Sequence, residues 1–226
     1  MSKNIVPSKP TKTEDVAVPA WALKPQPSEP SLPQPLAPSQ TSEESAVHSP
    51  LFKSSSETFK RGRLIHALLQ TLPEIELSKR RDAARHFLTL PAHELSAQNQ
   101  KAILSETLSV QESPKFAELF GPGSRAEVPI VGTLMPTNGG APIIVSGQVD
   151  RLLITEKEIG IIDYKTNRPP PAVPEEVLPA YLQQIAIYRA LLQAIYPGRT
   201  TRAAILWTDS ARLMTLPEML LDAHAP

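Results

Sequence analysis

Two apolar, β-prone runs near the middle of the chain each carry an aspartate, and a short charged connection joins them. The first reads Gly147-Gln148-Val149-Asp150-Arg151-Leu152, with Ile154 at its end. The second reads Gly160-Ile161-Ile162-Asp163-Tyr164-Lys165-Thr166, and Thr155-Glu156-Lys157-Glu158 lies between them. Two strands this close in sequence are expected to pair as a hairpin, which brings Asp150 and Asp163 together. Lys165 follows Asp163 by two positions and so shares its face of the sheet, because strand side chains repeat every two residues. Two carboxylates and an ammonium on one face suit a divalent metal and a phosphodiester. A lone Asp-x-Lys is more often a turn residue paired with a lysine. Here Ile159-Gly160-Ile161-Ile162 leads into Asp163, so burial is expected, and a buried charge needs a partner or a metal.

Composition divides the chain. Ten of its 25 prolines fall in the first 50 residues, among Ser, Glu, Gln and Lys. Such a stretch buries too little apolar area to offset its chain entropy, so residues 1–57 are expected to be a disordered, Pro-rich linker with polyproline II character. Trp21-Ala22-Leu23 is its one apolar island. Residues 58–226 have the size of one ordinary domain. The formal net charge is zero, which argues mildly against a large nonspecific DNA-binding face. The chain has no cysteine, so disulfides, cysteine–zinc sites and cysteine-ligated iron–sulfur clusters are excluded. No apolar core follows the lysines of Met1–Pro10, and no run approaches the roughly 20 apolar residues of a membrane span. A cytoplasmic protein is expected.

Helical spacing opens the domain. Ile65, Leu68, Leu69 and Leu72 form an i, i+3, i+4, i+7 stripe, predicting a helix from about 57 to 72 with Ser56 as N-cap and Pro73 beyond its end. Further helices are expected over 78–88 and 96–110, with a helical turn over 114–120. Strands follow over 126–132 (an edge or bulged strand, because of Pro129), 143–155 and 160–164, with a hairpin-type turn at 137–140. A helix over 179–196, with Leu182, Ile185, Leu191, Leu192 and Ile195 on its apolar side, and a strand over 201–207 complete the order. The remaining residues carry little pattern. Helices, then strands, then a helix and a strand predict an α/β domain with a mixed central sheet flanked by helices.

His66 sits beside the first helical stripe; imidazole there is usually a boundary residue and sometimes a metal ligand. Gln184 and Tyr188 lie one helical turn apart on one face. Taken in order, Gly62-x-x-x-His66 with Leu68-Leu69-Gln70, Gly147-x-x-Asp150-Arg151-Leu152, Asp163-Tyr164-Lys165-Thr166 and Gln184-x-x-x-Tyr188 resemble the PD-(D/E)xK nucleases of the RecB family. The resemblance is closest to the C-terminal nuclease domain of AddA-type subunits of bacterial helicase–nucleases, and it covers roughly 60–216. Val149 stands where the family name has its proline, a common departure among RecB-family members.

That resemblance implies a restriction-endonuclease-like core and assigns roles. His66, Asp150, Asp163 and the backbone carbonyl of Tyr164 would bind the metal, Mg²⁺ with Mn²⁺ tolerated. Lys165 would be the catalytic lysine, with Gln184 and Tyr188 supporting DNA or the site. Glu127 matches a commonly acidic position. The implied activity is a metal-dependent deoxyribonuclease, more exonuclease than endonuclease, acting in double-strand break repair beside an AddB-like subunit and a helicase in cis or trans. The chain has no Walker-type phosphate loop of its own, and without cysteines it lacks the iron–sulfur cluster of related branches. The alternatives are a non-catalytic DNA-binding or docking module, or a fragment active only with a helicase partner.

Overall fold

A computed structural model describes residues 35–38, 54–136 and 139–226. The span expected to be a linker, its Trp21 island and half of the expected 137–140 turn lie outside the described residues, apart from 35–38 and the start of the first helix. Five helices and five strands build the described part: α1 (Ser54–Thr71), α2 (Leu77–Leu88), α3 (Ala97–Gln111), β1 (Ser124–Leu134), β2 (Ile143–Ile154), β3 (Glu158–Lys165), α4 (Pro179–Ile195), β4 (Thr200–Trp207), β5 (Arg212–Leu216) and α5 (Glu218–Asp222). The strands lie in the order β1-β2-β3-β4-β5. All neighbours are antiparallel except β3 and β4, which α4 joins as a crossover. This is the mixed sheet flanked by helices that the element order predicts.

The sheet has two apolar faces because its strands alternate between two cores. Ile159 and Ile161 of β3, with Ala203, Ile205 and Trp207 of β4, pack against α4. Ile162 and Tyr164, with Ala204 and Leu206, pack against the layer that includes Ile65, Leu68, Leu69 and Leu72 of α1. The predicted α1 stripe is fully buried. Ser96 caps α3 by accepting from the Asn99 amide. Three expectations change. α1 starts at Ser54, so Ser56 lies inside the helix rather than at its cap. Ile195 is 51% exposed, because the apolar face of α4 has turned away from the sheet by its last turn. The tail carries β5 and α5, in which only Met214, Leu216 and Leu221 are buried apolar residues. Five residues with two buried positions leave too little periodicity to read.

Hairpin pairing of β2 and β3 covers only Arg151–Ile154 against Ile159–Ile162. Before Arg151 the strands part, and β2 would show a bare edge from Ile143 to Asp150. Two groups cover it. Leu36 adds a parallel bridge: its N–H donates to Ile144 O at 2.7 Å, and its carbonyl accepts from Ser146 N at 3.0 Å. Further along, the Tyr188 hydroxyl accepts from Gln148 N at 3.3 Å. Leu36 also packs its side chain against the α4-side core. Among the described residues, no helix is long and apolar enough to cross a membrane.

Leu36→Asp should therefore lower unfolding stability by about 1–2 kcal/mol, through lost apolar burial and a charge at the sheet edge. Urea denaturation of the two proteins checks this; equal midpoints would show that the bridge contributes nothing.

Candidate active site

The site forms where β2 and β3 separate. Past Arg151↔Ile162 the ladder ends, and the Asp150 side chain takes over: its Oδ2 accepts the Tyr164 backbone N–H at 2.6 Å. A carboxylate thus stands in for a strand carbonyl. The two strands are held apart by a side-chain length, and Asp150 faces the opening. The neighbouring Arg151 is buried and anchors this point. Its guanidinium donates to the Tyr164 hydroxyl (2.7 Å), to Ser124 Oγ (3.0 Å) and to the Leu69 carbonyl (2.8 Å), and stacks on Phe120.

On the far side of β2, Glu127 lies opposite Asp150 in the β1–β2 register and has a left-handed backbone, φ 51°. The break in the ladder at this edge strand matches the irregularity expected around Pro129. His66 enters from α1, with its Nδ1 3.5 Å from Asp150 Oδ1 and its ring edge-on to Tyr164. Gly62, one helical turn earlier, lets α1 lie against the end of β3. A Cβ there would sit 3.2 Å from Thr166 Oγ1.

His66, Glu127 and Asp150 each offer a ligand atom, and these atoms lie within 4.8 Å of one another. Asp163 faces the other way, toward α4. Its Oδ2 lies 2.8 Å from Lys165 Nζ, and its Oδ1 accepts from Gln184 Nε2 at 3.1 Å. Gln184 Oε1 in turn accepts from Lys165 Nζ at 3.2 Å. Lys165 also lies over the Tyr181 ring, 4.3 Å from its centre, and the Tyr181 hydroxyl donates to Asn167 Oδ1. Tyr181, Gln184 and Tyr188 are spaced i, i+3, i+7 and share one face of α4.

Asp150, Asp163, Lys165, His66, Tyr164 and Gln184 are therefore brought together. Tyr188 differs. It is 1% exposed and its hydroxyl serves the β2 backbone, so it acts on the strand that carries Asp150. Gly147 exists for that contact: a Cβ there would lie 2.6 Å from the Tyr188 hydroxyl oxygen. Tyr181 and Arg151 had no role assigned from sequence. The periodicity of α4 marks Tyr181, whereas nothing local marks Arg151, whose partners lie on other elements.

The electrostatics are those of crowded charge. Burial opposes ionisation of Asp150, but His66 and Lys165, helped by the Tyr164 N–H, bring its pKa below the usual carboxylate value. Burial likewise opposes charge on His66, and Asp150 overcomes it, raising the imidazole. Burial and then Asp150 push Glu127 up. Burial pushes Asp163 up, with Asp150 adding to it and Lys165 pulling the other way. Lys165 is raised despite burial, because Asp163 and Asp150 both favour its charge. Carboxylates that resist ionisation beside one another and beside an imidazole fit a divalent cation, whose charge would relieve their repulsion.

Two outcomes follow. Gly147→Ala should destabilise the fold by about 1–3 kcal/mol, since the added methyl meets Tyr188; thermal melting checks it. In metal-free buffer, the His66–Asp150 pair should contribute its full stability below the ordinary histidine pKa of 6.5. That contribution should be lost as pH rises through the raised value in the fold. The stability gap between the chain and His66→Gln in EDTA should therefore shrink from pH 6 to pH 9. A gap independent of pH would show that the pair does not titrate this way.

The profile of the PD-(D/E)XK nuclease superfamily matches residues 45–218. No curated protein matches the chain. Among solved structures, one from Eubacterium rectale, titled "Putative exonuclease", is similar over 73% of this chain at 16% identity, with a TM-score of 0.46. The chain spans 62% of the length of that protein. SSO0001 is similar over 71% of this chain and 70% of its own, at 15% identity and a TM-score of 0.32. PD-(D/E)XK nucleases use divalent metals, and the His66, Glu127 and Asp150 atoms supply a candidate site for one. With three quarters of its length matched and its acidic residues and lysine gathered where two strands part, the chain belongs to the PD-(D/E)XK nuclease superfamily.

Proposed function

We propose that the chain is a metal-dependent deoxyribonuclease of the RecB-like, AddA-type branch. It would cut single strands or ends, more as an exonuclease than an endonuclease, during double-strand break repair. The observation that carries this reading is the pairing of Lys165 with Asp163 and Gln184, beside the His66–Glu127–Asp150 cluster. His66, Glu127 and Asp150, with Asp163 and the Tyr164 carbonyl, would hold Mg²⁺, with Mn²⁺ as a substitute. A bound divalent ion supplies a more acidic water and a polarised phosphoryl oxygen.

The chain's own residues supply the rest. Lys165 has two carboxylates favouring its charge, so it works as a cation and hydrogen-bond donor rather than as a base. Its ammonium offsets charge that builds on the phosphoryl oxygens as water attacks phosphorus in line. The P–O3′ bond breaks, the 3′-oxygen takes a proton, and the products are a 5′-phosphate and a 3′-hydroxyl. Gln184 fixes the carboxylate of Asp163 and the ammonium of Lys165 relative to each other. Tyr181 supports Lys165 from below through its ring. Tyr188 acts at one remove, by holding the β2 backbone. The strand would arrive from a helicase, in cis or trans, in company with an AddB-like subunit.

Lys165→Ala should cost about 10²–10³ in cleavage rate while leaving metal binding intact. Asp163→Ala should abolish cleavage. The checks are cutting of labelled single-stranded DNA with Mg²⁺, Mn²⁺ or EDTA, and calorimetric titration with Mn²⁺. Metal-dependent cutting lost in both variants supports a self-sufficient nuclease. Metal binding without cutting supports an assembled site that needs its helicase partner. Neither cutting nor metal binding overturns the enzymatic reading.

A further inference from the structure

Beyond Lys165, on the side of the sheet facing α1 and α3, lies a second charged cluster that the proposed chemistry does not use. Glu106 of α3 is buried, its side chain 4% exposed. Its Oε2 is shared by two guanidinium groups, those of Arg61 on α1 and Arg168 after β3. Its Oε1 accepts from the Thr208 hydroxyl at 2.5 Å. Arg168 Nε also meets Asp209 Oδ1 at 2.7 Å.

The cluster adjoins the candidate active site through one backbone hydrogen bond and one close approach of neighbouring residues. Thr208 N donates to the Lys165 carbonyl at 3.0 Å, so one residue links Glu106 to the backbone of the lysine. Gly62, next to Arg61, approaches Thr166, next to Lys165.

Two guanidinium groups converge on one buried carboxylate oxygen, and Asp209 at the rim supplies a second carboxylate to the outer one, Arg168. Burial and then the neighbouring Arg168 charge pull Arg61 below its ordinary value. The two groups keep their inner edges on Glu106. Arg61 meets Glu106 through Nη2, and Arg168 meets Glu106 through Nη2 and Asp209 through Nε. Arg168 is half exposed and Arg61 one-fifth exposed. Planar forks held from behind, with donors left at the surface, are the geometry that takes a phosphate.

We propose that Arg61 and Arg168, braced by Glu106, bind a backbone phosphate of the DNA strand next to the one being cut. This rests on the nuclease reading for what the strand is, but binding at the clamp needs neither metal nor cleavage. Asp209, on the rim, competes with that phosphate for Arg168. The contact is to the backbone, so it positions the strand and reads no base.

The test is binding of a fluorescent single-stranded oligonucleotide in EDTA, by anisotropy, from 50 to 200 mM salt. The proteins are the unmodified chain, Arg168→Gln, Arg168→Lys and Asp209→Asn. Arg168→Gln is expected to weaken binding about ten-fold and to reduce the slope of log K against log salt by about 0.7, the loss of one single-strand phosphate contact. Arg168→Lys should keep the slope and lose part of the affinity. Asp209→Asn should tighten binding a few-fold.

In parallel, neutral methylphosphonate linkages are placed one at a time along the strand. One position should weaken binding by the unmodified chain about ten-fold and have little further effect on Arg168→Gln. Equal slopes for the chain and Arg168→Gln, equal methylphosphonate losses in both, or no strand binding by the chain would each overturn the clamp. The methylphosphonate scan on the unmodified chain stands even if Arg168→Gln fails to fold, and a scan without a sensitive phosphate also overturns it. Salt-dependent binding of the expected form, with neither cutting under Mg²⁺ or Mn²⁺ nor calorimetric binding of Mn²⁺, would leave the clamp standing and remove the nuclease reading instead.

Discussion

The arrangement of this domain turns on one hydrogen bond, from the Tyr164 amide to the carboxylate of Asp150. Two strands that continued to pair through their backbones would close the gap between them and leave no room for chemistry. Here a side chain ends the ladder and satisfies the Tyr164 amide that the ladder abandons, so that donor keeps a partner. The same carboxylate is then charged, buried and next to His66. Everything else at this end of the sheet manages the consequences. Leu36 and Tyr188 cover the edge that β2 loses, and Arg151 ties β1, β2, β3 and α1 together beneath it.

The two faces of β3 divide the labour. Asp163 and Lys165 point to α4, which supplies Gln184 and Tyr181. Tyr164 and Ile162 point to the other layer, from which α1 brings His66. His66 and Lys165 thus come from different layers and meet only where the strands part. Burial, with the charge of Asp150 adding to it, raises Glu127 and Asp163, so ionising the carboxylates gathered at that point opposes folding. Such a cost is retained where charge is needed for chemistry.

The fold was largely legible in sequence because its elements are written in local periodicity. The α1 stripe, the apolar runs around Asp150 and Asp163, and the face shared by Gln184 and Tyr188 each repeat with the spacing of their element. β5 has only two buried positions, too few to set a period. The helical stripe runs on to Ile195, but a stripe does not say where the packing partner ends. Of the candidate site, the Asp163–Lys165 pairing follows from the two-residue repeat. Glu127 was visible only as an acidic residue on the strand before the hairpin; its place opposite Asp150 is a matter of register. Tyr188 carries a polar handle that sequence leaves open between DNA and the site, and the close approach of Gly147 sets its hydroxyl against the β2 backbone.

What the sequence by itself determined is therefore the set of elements, the order of the chemical groups along them, and which groups share a face. Alternation and helical spacing are local properties of the backbone, fixed wherever the strand or helix forms. Only the tertiary structure decided how far β2 and β3 stay paired, which carboxylate faces the histidine and which the lysine, and that Glu106 collects two arginines from elements 107 residues apart at Arg61 and Arg168. Those are distances between separate elements, set by packing across the sheet, and no local pattern encodes them.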